Sequence, residues 1–257
     1  GLGGRNGVEV PVAGKHFDRV LIAGDIFDAD AMVVLSHFKG HIIAGFGGAI
    51  KNLAMGAATP AGKKEQHNAL LPEVDPNRCT ACMMCQAVCP AGAASVHDGV
   101  ATISRELCLA CGQCMETCPS EAISLNYEAG VVPFTERLAE YAAGAVAEKQ
   151  GKVTYLTFVT HVTPFCDCAG WSDAPIVRDI GLLAAHDPVA IDAAAYDLVN
   201  RETGLAGTML TAHHAPGEDK FAGLFPRTSG LLQLSHAEKM GLGTRDYLLR
   251  PVRPWEE

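Results

Sequence analysis

VDPNRCTACMMCQAVCPAGAASV, residues 74–96, and ISRELCLACGQCMETCPSEAISL, residues 103–125, align without a gap at an offset of 29 residues. Together they hold eight of the ten cysteines. Cys79, Cys82, Cys85 and Cys89 are spaced C-x2-C-x2-C-x3-C ahead of Pro90. Cys108, Cys111, Cys114 and Cys118 repeat the spacing ahead of Pro119. A tight C-x2-C-x2-C turn brings three thiolates to three irons of one cubane, and the displaced fourth cysteine serves the other cluster. The spacing predicts two [4Fe-4S] clusters. Cluster 1 would be held by Cys79, Cys82, Cys85 and Cys118, and cluster 2 by Cys108, Cys111, Cys114 and Cys89. A three-iron cluster or a zinc site is the weaker alternative, because zinc sites use paired Cys/His knuckles. A disulfide framework belongs to secreted chains, and no signal peptide is visible.

Each copy reads as a short strand, a cysteine loop, a helical turn and a return strand. The pattern is that of the bacterial two-cluster ferredoxin, and it places a small α+β unit at residues 74–127. Such a unit is too small to bury much apolar surface. Metal binding would supply the missing folding energy, so loss of iron should unfold it.

The chain of 257 residues has room for one larger domain beside this unit. It is 48% hydrophobic and 19% charged, a globular balance. No apolar run reaches the length of a membrane span. The formal charge of −9 argues against nucleic acid as a partner, which wants a basic surface. It suits docking onto a basic face of a redox protein. Thiolate clusters imply a reducing, low-oxygen cytoplasm. The chain begins at Gly1 without Met, as expected of a trimmed or partial form of a longer protein.

Both flanks read as α/β. Arg19–Ala23 and Ala31–Ser36 are short apolar, β-branched runs. Phe134–Gln150 has helical periodicity, with Leu138, Tyr141, Ala142, Ala145 and Val146 on one side and Gly151 as the stop. Val153–Val162 and Ile180–Ala184 are further strands. Asp187-Pro188 is an N-cap followed by a first-turn proline, opening a helix that runs to about Asn200. Leu231–Met240 is a helix stopped by Gly241. Alternating strands and helices predict a layered, largely parallel-sheet α/β host domain. The host would comprise residues 1–73, incomplete at the N-terminal side, and 128–257, interrupted by the unit at 74–127.

Outside the clusters, Cys166-Asp167-Cys168 is the most informative motif. A C-x-C pair chelates one metal, ligates a cluster corner or closes a strained disulfide. It follows the strongest strand, at the edge where open α/β sheets bind ligands. His161 upstream is a candidate imidazole ligand beside Cys166 and Cys168. The plainer alternative is two buried, unreactive cysteines. Gly45, Gly47 and Gly48 precede a helix at Ala49–Met55, a candidate anion loop. Lys39 and Lys51 would add charge, and His37 and His41 would move protons or bind metal. The alternative is a tight turn needed for packing. Cys166, Cys168 and Lys51 are the candidate catalytic residues. Asp192 and Asp197 read as solvated. His213-His214 and Gly217-Glu218-Asp219-Lys220 read as an exposed loop.

SHFKGHIIAGFGGAIKN (36–52) and FCDCAGWSDAPIVRDIGLLAAHDPVAID (165–192), with the cysteine repeats between them, resemble domain-of-unknown-function family 362 in its form carrying a ferredoxin insert. The resemblance spans roughly Ala31 to Asn200. It implies an iron–sulfur cluster-binding protein and leaves the substrate open. Lys39, Gly40, His41, Gly45, Gly47, Gly48, Lys51, Asn52, Cys166, Asp167, Cys168, Asp187 and Asp192 match the family's motifs.

Three functions compete: an electron carrier, a reductase whose host domain holds a substrate near Lys51 and Cys166, and a metal or iron–sulfur carrier or assembly factor using the C-x-C pair. A carrier of electrons needs only the small unit, so the surrounding host favours an oxidoreductase-type protein with a site of its own. Its partner would be a redox protein or a small-molecule substrate. A third metal site at Cys166 and Cys168 is a further expectation. No flavin or nicotinamide fingerprint is present.

Overall fold

The computed structural model describes residues 6–108, 112–166 and 172–252. Strands β1 (Gly7–Pro11) and β2 (Arg19–Ala23) form an antiparallel hairpin, followed by α1 (Gly24–Asp28). Next come β3 (Met32–His37), β4 (Lys39–His41) and β5 (Gly45–Gly47), the last two paired antiparallel. Helix α2 (Ala49–Gly56) leads to α3 (Pro60–His67), which starts with Pro60 at its first position and with the Thr59 hydroxyl accepting the Gly62 N–H at 3.1 Å.

The cysteine-rich segment holds β6 (Pro72–Val74), α4 (Met84–Val88), β7 (Ala94–His97), β8 (Val100–Ile103), α5 (Gln113–Glu116) and β9 (Ile123–Leu125). β6 pairs with β9 and β7 with β8, both antiparallel, so the segment leaves and rejoins the chain side by side. Beyond it lie α6 (Tyr127–Val146), β10 (Val153–Val159), β11 (Gly181–Ala185), α7 (Pro188–Arg201), α8 (Lys220–Leu224) and α9 (Leu231–Lys239).

The fold is mixed α/β, built from several small sheets. β10 is central, parallel to β3 and antiparallel to β11. The expectation of a largely parallel sheet is corrected: among the described residues β3–β10 is the one parallel ladder. Among the described residues between β10 and β11 there is no helix to carry the chain across the sheet, and β11 runs back beside β10 as an antiparallel neighbour.

One face of this sheet is covered by helices. α2 packs against both α6 and α7, and α7 lies on β10 and β11. Phe38, Phe46, Phe134, Tyr141, Tyr155 and Phe221 are fully buried between these layers. Each contributes on the order of 1.5–3 kcal/mol of apolar burial. The apolar side of α6 expected from its periodicity is realised, with Leu138, Tyr141, Ala142 and Ala145 all buried. The helix starts earlier than expected, at Tyr127, where the Asn126 side chain caps it by accepting the Ala129 N–H. Pro133 lies inside it.

The segment from His213 to Lys220 is not a plain exposed loop. Lys220 is fully buried, and its ammonium donates to the carbonyls of Asn200, Ala215 and Glu218 at 2.9, 2.6 and 3.2 Å. Asp219 caps α8 and accepts the Tyr196 hydroxyl at 2.6 Å. Asp197 is not purely solvated either, since it accepts the Tyr247 hydroxyl at 2.7 Å.

The backbone of the β1–β2 turn is anchored on the Glu140 carboxylate. Glu140 of α6 is fully buried and accepts the backbone N–H groups of Lys15, His16 and Phe17 at 2.9–3.2 Å. His236 of α9 reaches the same carboxylate at 3.1 Å. Deleting it leaves those donors unsatisfied in the interior. Glu140→Ala should lower the unfolding free energy by about 3–5 kcal/mol, measured as a fall in the urea midpoint. A loss under about 1 kcal/mol would contradict this account.

Candidate functional site

The cysteines gather into two groups. Cys79, Cys82, Cys85 and Cys118 line one small cavity, and Cys89, Cys108 and Cys114 line another. Cys111 lies outside the described residues. Cys118 thus sits with the first three cysteines of the first repeat, and Cys89 with Cys108 and Cys114 of the second. The repeats also agree in detail. Met83 and Gly112, equivalent in the alignment, both take left-handed backbone at φ 61° and 81° and start α4 and α5. Cys89 Sγ accepts the Ala93 N–H at 3.2 Å, and Cys118 Sγ accepts the Ala122 N–H at 3.3 Å.

The electrostatics follow. Burial pushes the Cys85 thiol up, and the neighbouring Cys82, Cys79 and Cys118 push it further, against a backbone hydrogen bond at Gln86. For Cys89 burial also acts upward, but backbone N–H groups at residues 91–94 outweigh it and bring the thiol below its ordinary value. Cys118 is lowered in the same way by the Ser120 hydroxyl and nearby amides. Among the described residues no group of three or more His, Cys, Asp or Glu closes around a single metal ion.

A second site lies in the host, at the carboxyl ends of the parallel strands β3 and β10. A cavity of about 260 Å³ is lined by Leu35, His37, Lys39, Gly47, Gly48, Lys51, Asn52 and Cys166. β4 supplies Lys39, which is 3% exposed. α2 supplies Lys51 and Asn52, and Asn52 donates to the Leu35 carbonyl and the Ser36 hydroxyl, closing the open edge of β3. The loop after β10 is stapled to β4 by Gly40 N–H donating to the Thr163 carbonyl at 2.8 Å. A Cβ at Gly40 would collide with the Pro164 carbonyl. That staple brings Cys166 into the cavity, where Lys51 Nζ donates to its sulfur at 3.5 Å. Cys166 is buried and disulfide-bonded. Asp167 and Cys168 lie outside the described residues.

The glycine loop behaves differently from the expectation. Gly48 precedes α2, but the first helical amides, Ala49 and Ile50, donate to the Asp192 carboxylate at 2.7 and 2.9 Å. The anion at this helix start is the chain's own. A Cβ on Gly48 would collide with that carboxylate, and one on Gly45 would sit 2.5 Å from the Gly230 nitrogen. Gly45, at φ 79°, serves close packing and does not line the cavity. Asp192, expected to be solvated, is fully buried, and burial raises its pKa to about 7 against the pull of the two amides.

The histidines separate. His37 Nε2 donates to the Thr160 carbonyl at 2.7 Å. His41 is buried elsewhere, and its Nδ1 accepts the Ile43 and Ala44 N–H groups at 3.1 and 3.0 Å. The two do not form a metal pair, because the glycine-rich stretch is strand and turn rather than one helix. His161 is largely exposed beside Asp179 and does not line the Cys166 cavity, so its expected ligand role is not supported. His67, not singled out from sequence, stacks near Phe134 together with His41. Burial lowers both histidines, and the Lys51 charge lowers them further.

Fold and sites together define a mixed α/β protein with a paired-cysteine segment joined to a host that carries a lysine-lined cavity. The chain belongs to the family described as Domain of unknown function (DUF362), which matches residues 1–197. No curated protein matches the chain, and no solved structure does. Among the described residues no helix is long and apolar enough to cross a membrane.

Two measurements probe the Asp192 contact. The folded state keeps this proton up to about pH 7, whereas the unfolded chain loses it near the ordinary 3.8. Stability from this group is therefore greatest at low pH and is lost as pH rises through about 7. Asp192→Asn should flatten the fall in unfolding free energy between about pH 4 and 7; an unchanged slope would refute the assignment. Gly48→Ala should cost about 2 kcal/mol or more by overpacking. Gly47→Ala, whose Cβ would sit 3.6 Å from Lys51 Cδ, should stay within about 1 kcal/mol of the parent in the same denaturation series.

Proposed function

We propose that this chain is an iron–sulfur oxidoreductase-type protein, a reductase in which two [4Fe-4S] clusters in a ferredoxin-like unit exchange electrons with the host cavity at Lys51 and Cys166. The observation that carries the reading is the sorting of the cysteines into two crossed groups. Cys79, Cys82, Cys85 and Cys118 would hold one cluster, and Cys108, Cys111, Cys114 and Cys89 the other. The donor set fits, since every proposed ligand is a cysteine thiolate. Bound clusters would supply one-electron chemistry, with potentials set by hydrogen bonds to sulfur and by burial. The chain contributes such hydrogen bonds at Cys79, Cys89 and Cys118.

The two groups differ in surroundings. Cys82 is exposed, and Met83 and Met84 beside it are exposed apolar side chains. Cys108 is buried with Leu71 and Ala93, and Leu70, one residue away, belongs to the host core. The Cys108 group is therefore the inboard one, and the Cys82 edge faces a redox partner. From the inboard side, α3 carries His67 to Phe134, His41 and the neighbourhood of Lys51. A metal or cluster carrier working through Cys166-Asp167-Cys168 is less well supported, because Cys166 is buried and disulfide-bonded and so poorly placed to hand on cargo.

Anaerobically purified protein should contain about eight irons and eight sulfides per chain. Cys85→Ser and Cys108→Ser should each lose about half of both, or unfold the unit, since cluster binding and folding are coupled here. Zinc in place of iron, or fewer than about four irons in the parent, would overturn the reading.

A further inference from the structure

We infer that the recess at the amino end of β10 binds a small uncharged molecule with an apolar body and one carbonyl group, held by a hydrogen bond from the Tyr155 hydroxyl. The site is separate from the cavity at Cys166, which lies at the carboxyl end of the same strand. It does not depend on what the cysteine segment holds.

Shape is the first ground. The recess has a volume of about 520 Å³, within the range of roughly 300–1,000 Å³ that small-molecule sites occupy. The β1–β2 turn, the ends of α6 and α9 and the start of β10 meet there. Val12, Val146, Val153 and Leu242 give it apolar walls. Each of the two helices is followed by a glycine in left-handed backbone, Gly151 and Gly241 at φ 71° and 72°. Both glycines line the recess and bring no side chain to fill it.

The Tyr155 hydroxyl is the second. Tyr155 is 2% exposed and lines the recess. Tyr141, Tyr196 and Tyr247 each donate to a carboxylate. Among the described residues the Tyr155 hydroxyl has no hydrogen-bond partner. A buried hydroxyl is costly to leave unpaired, and the recess is the side from which an acceptor can reach it. Burial keeps this phenol protonated, and the Asp187 and Asp192 carboxylates act in the same direction, so the group is a donor. The same two carboxylates disfavour an anion in front of it. Lys239 is the one formally charged side chain on the lining, and it stands exposed in the last turn of α9, where it offsets the carbonyl end of that helix. His186 is engaged, its Nδ1 donating to the Val153 carbonyl at 3.2 Å. One buried donor among apolar walls suits a ketone or an amide better than an ion.

The test is an NMR titration of the anaerobically prepared full chain at pH 8, where Asp192 is ionised, following the Gly151 and Gly241 amides. Three probes share one ring and differ in charge: cyclohexanecarboxamide, cyclohexanecarboxylate and cyclohexylmethylammonium. The amide should shift both glycines saturably and bind at least about threefold more tightly than either ion. Tyr155→Phe keeps the ring and removes the hydroxyl; it should weaken the amide about three- to tenfold and erase its preference over the carboxylate. A structural role for Tyr155 alone would leave that preference unchanged. Ala143→Leu fills the recess from α6 and leaves Tyr155 in place, and it should abolish saturation by the amide. Lack of saturable binding by the parent, equal affinity for the charged probes, or an unchanged preference in Tyr155→Phe would each overturn the inference. No electrons are involved in this readout, so failure of the iron and sulfide analysis would leave the site standing.

Discussion

The buried Asp192 carboxylate is the contact on which the host architecture turns. It projects from α7 and accepts the first two amides of α2, fixing the start of α2 against α7. That contact requires glycine at position 48, because any side chain there would occupy the space of the carboxylate. It also aims the first turn of α2, and so Lys51, at the carboxyl ends of β3 and β10. A helix start normally welcomes an anion from outside. Here the chain fills the position itself.

The cysteine segment obeys a different constraint. Its own buried apolar set is Cys85, Ala94, Ala101 and Ile123 in one cluster and Leu71, Ala93 and Cys108 in another. These are small side chains, too few to offset the ordering entropy of some fifty residues at about 1–2 kcal/mol each. The two cysteine groups sit inside those clusters, so whatever binds them becomes the core. The attachment to the host is narrow: the β6–β9 pair, the Leu70–Leu71 step between two cores, and a Lys64 ammonium donating to the Glu106 carbonyl. A unit joined this way shares few contacts with the α2–α6–α7 layer.

Features governed by neighbours in sequence were legible there. β2 has the bounds expected, and Asp187 caps α7 by accepting the Val189 and Ala190 N–H groups, as Asp-Pro implies. The cysteine spacing paired Cys118 with the first repeat and Cys89 with the second, and Cys118 lines a cavity with Cys79, Cys82 and Cys85 while Cys89 lines another with Cys108 and Cys114. Features governed by distant partners were not legible. Pro133 reads as a helix start, yet α6 begins before it because Gly130 and Val131 pack at Leu70 and in the core. Asp192 read as solvated because its partners lie 142 and 143 residues away. Gly45 and Gly48 looked like ligand-binding glycines, but the neighbours that demand them come from α7 and from Gly230. Lys220 carried no local sign that three carbonyls would enclose its ammonium.

The remaining question is why two buried histidines, His41 and His67, lie within electrostatic reach of Lys51. His41 accepts two backbone N–H groups through Nδ1, which requires that nitrogen to be unprotonated. Burial and the Lys51 charge both act against protonation. His67 donates to the Lys63 carbonyl through Nδ1 and is also pushed down, by burial first and then by Lys51. Both rings therefore stay neutral around neutral pH, and they add no repulsion to the lysines. The His41 ring stacks on Phe134 at 6.3 Å between ring centroids, and His67 lies tilted against the same ring at 5.3 Å, packing that suits neutral imidazoles. The histidines act by remaining uncharged, which is a role that spacing in a sequence cannot distinguish from metal binding.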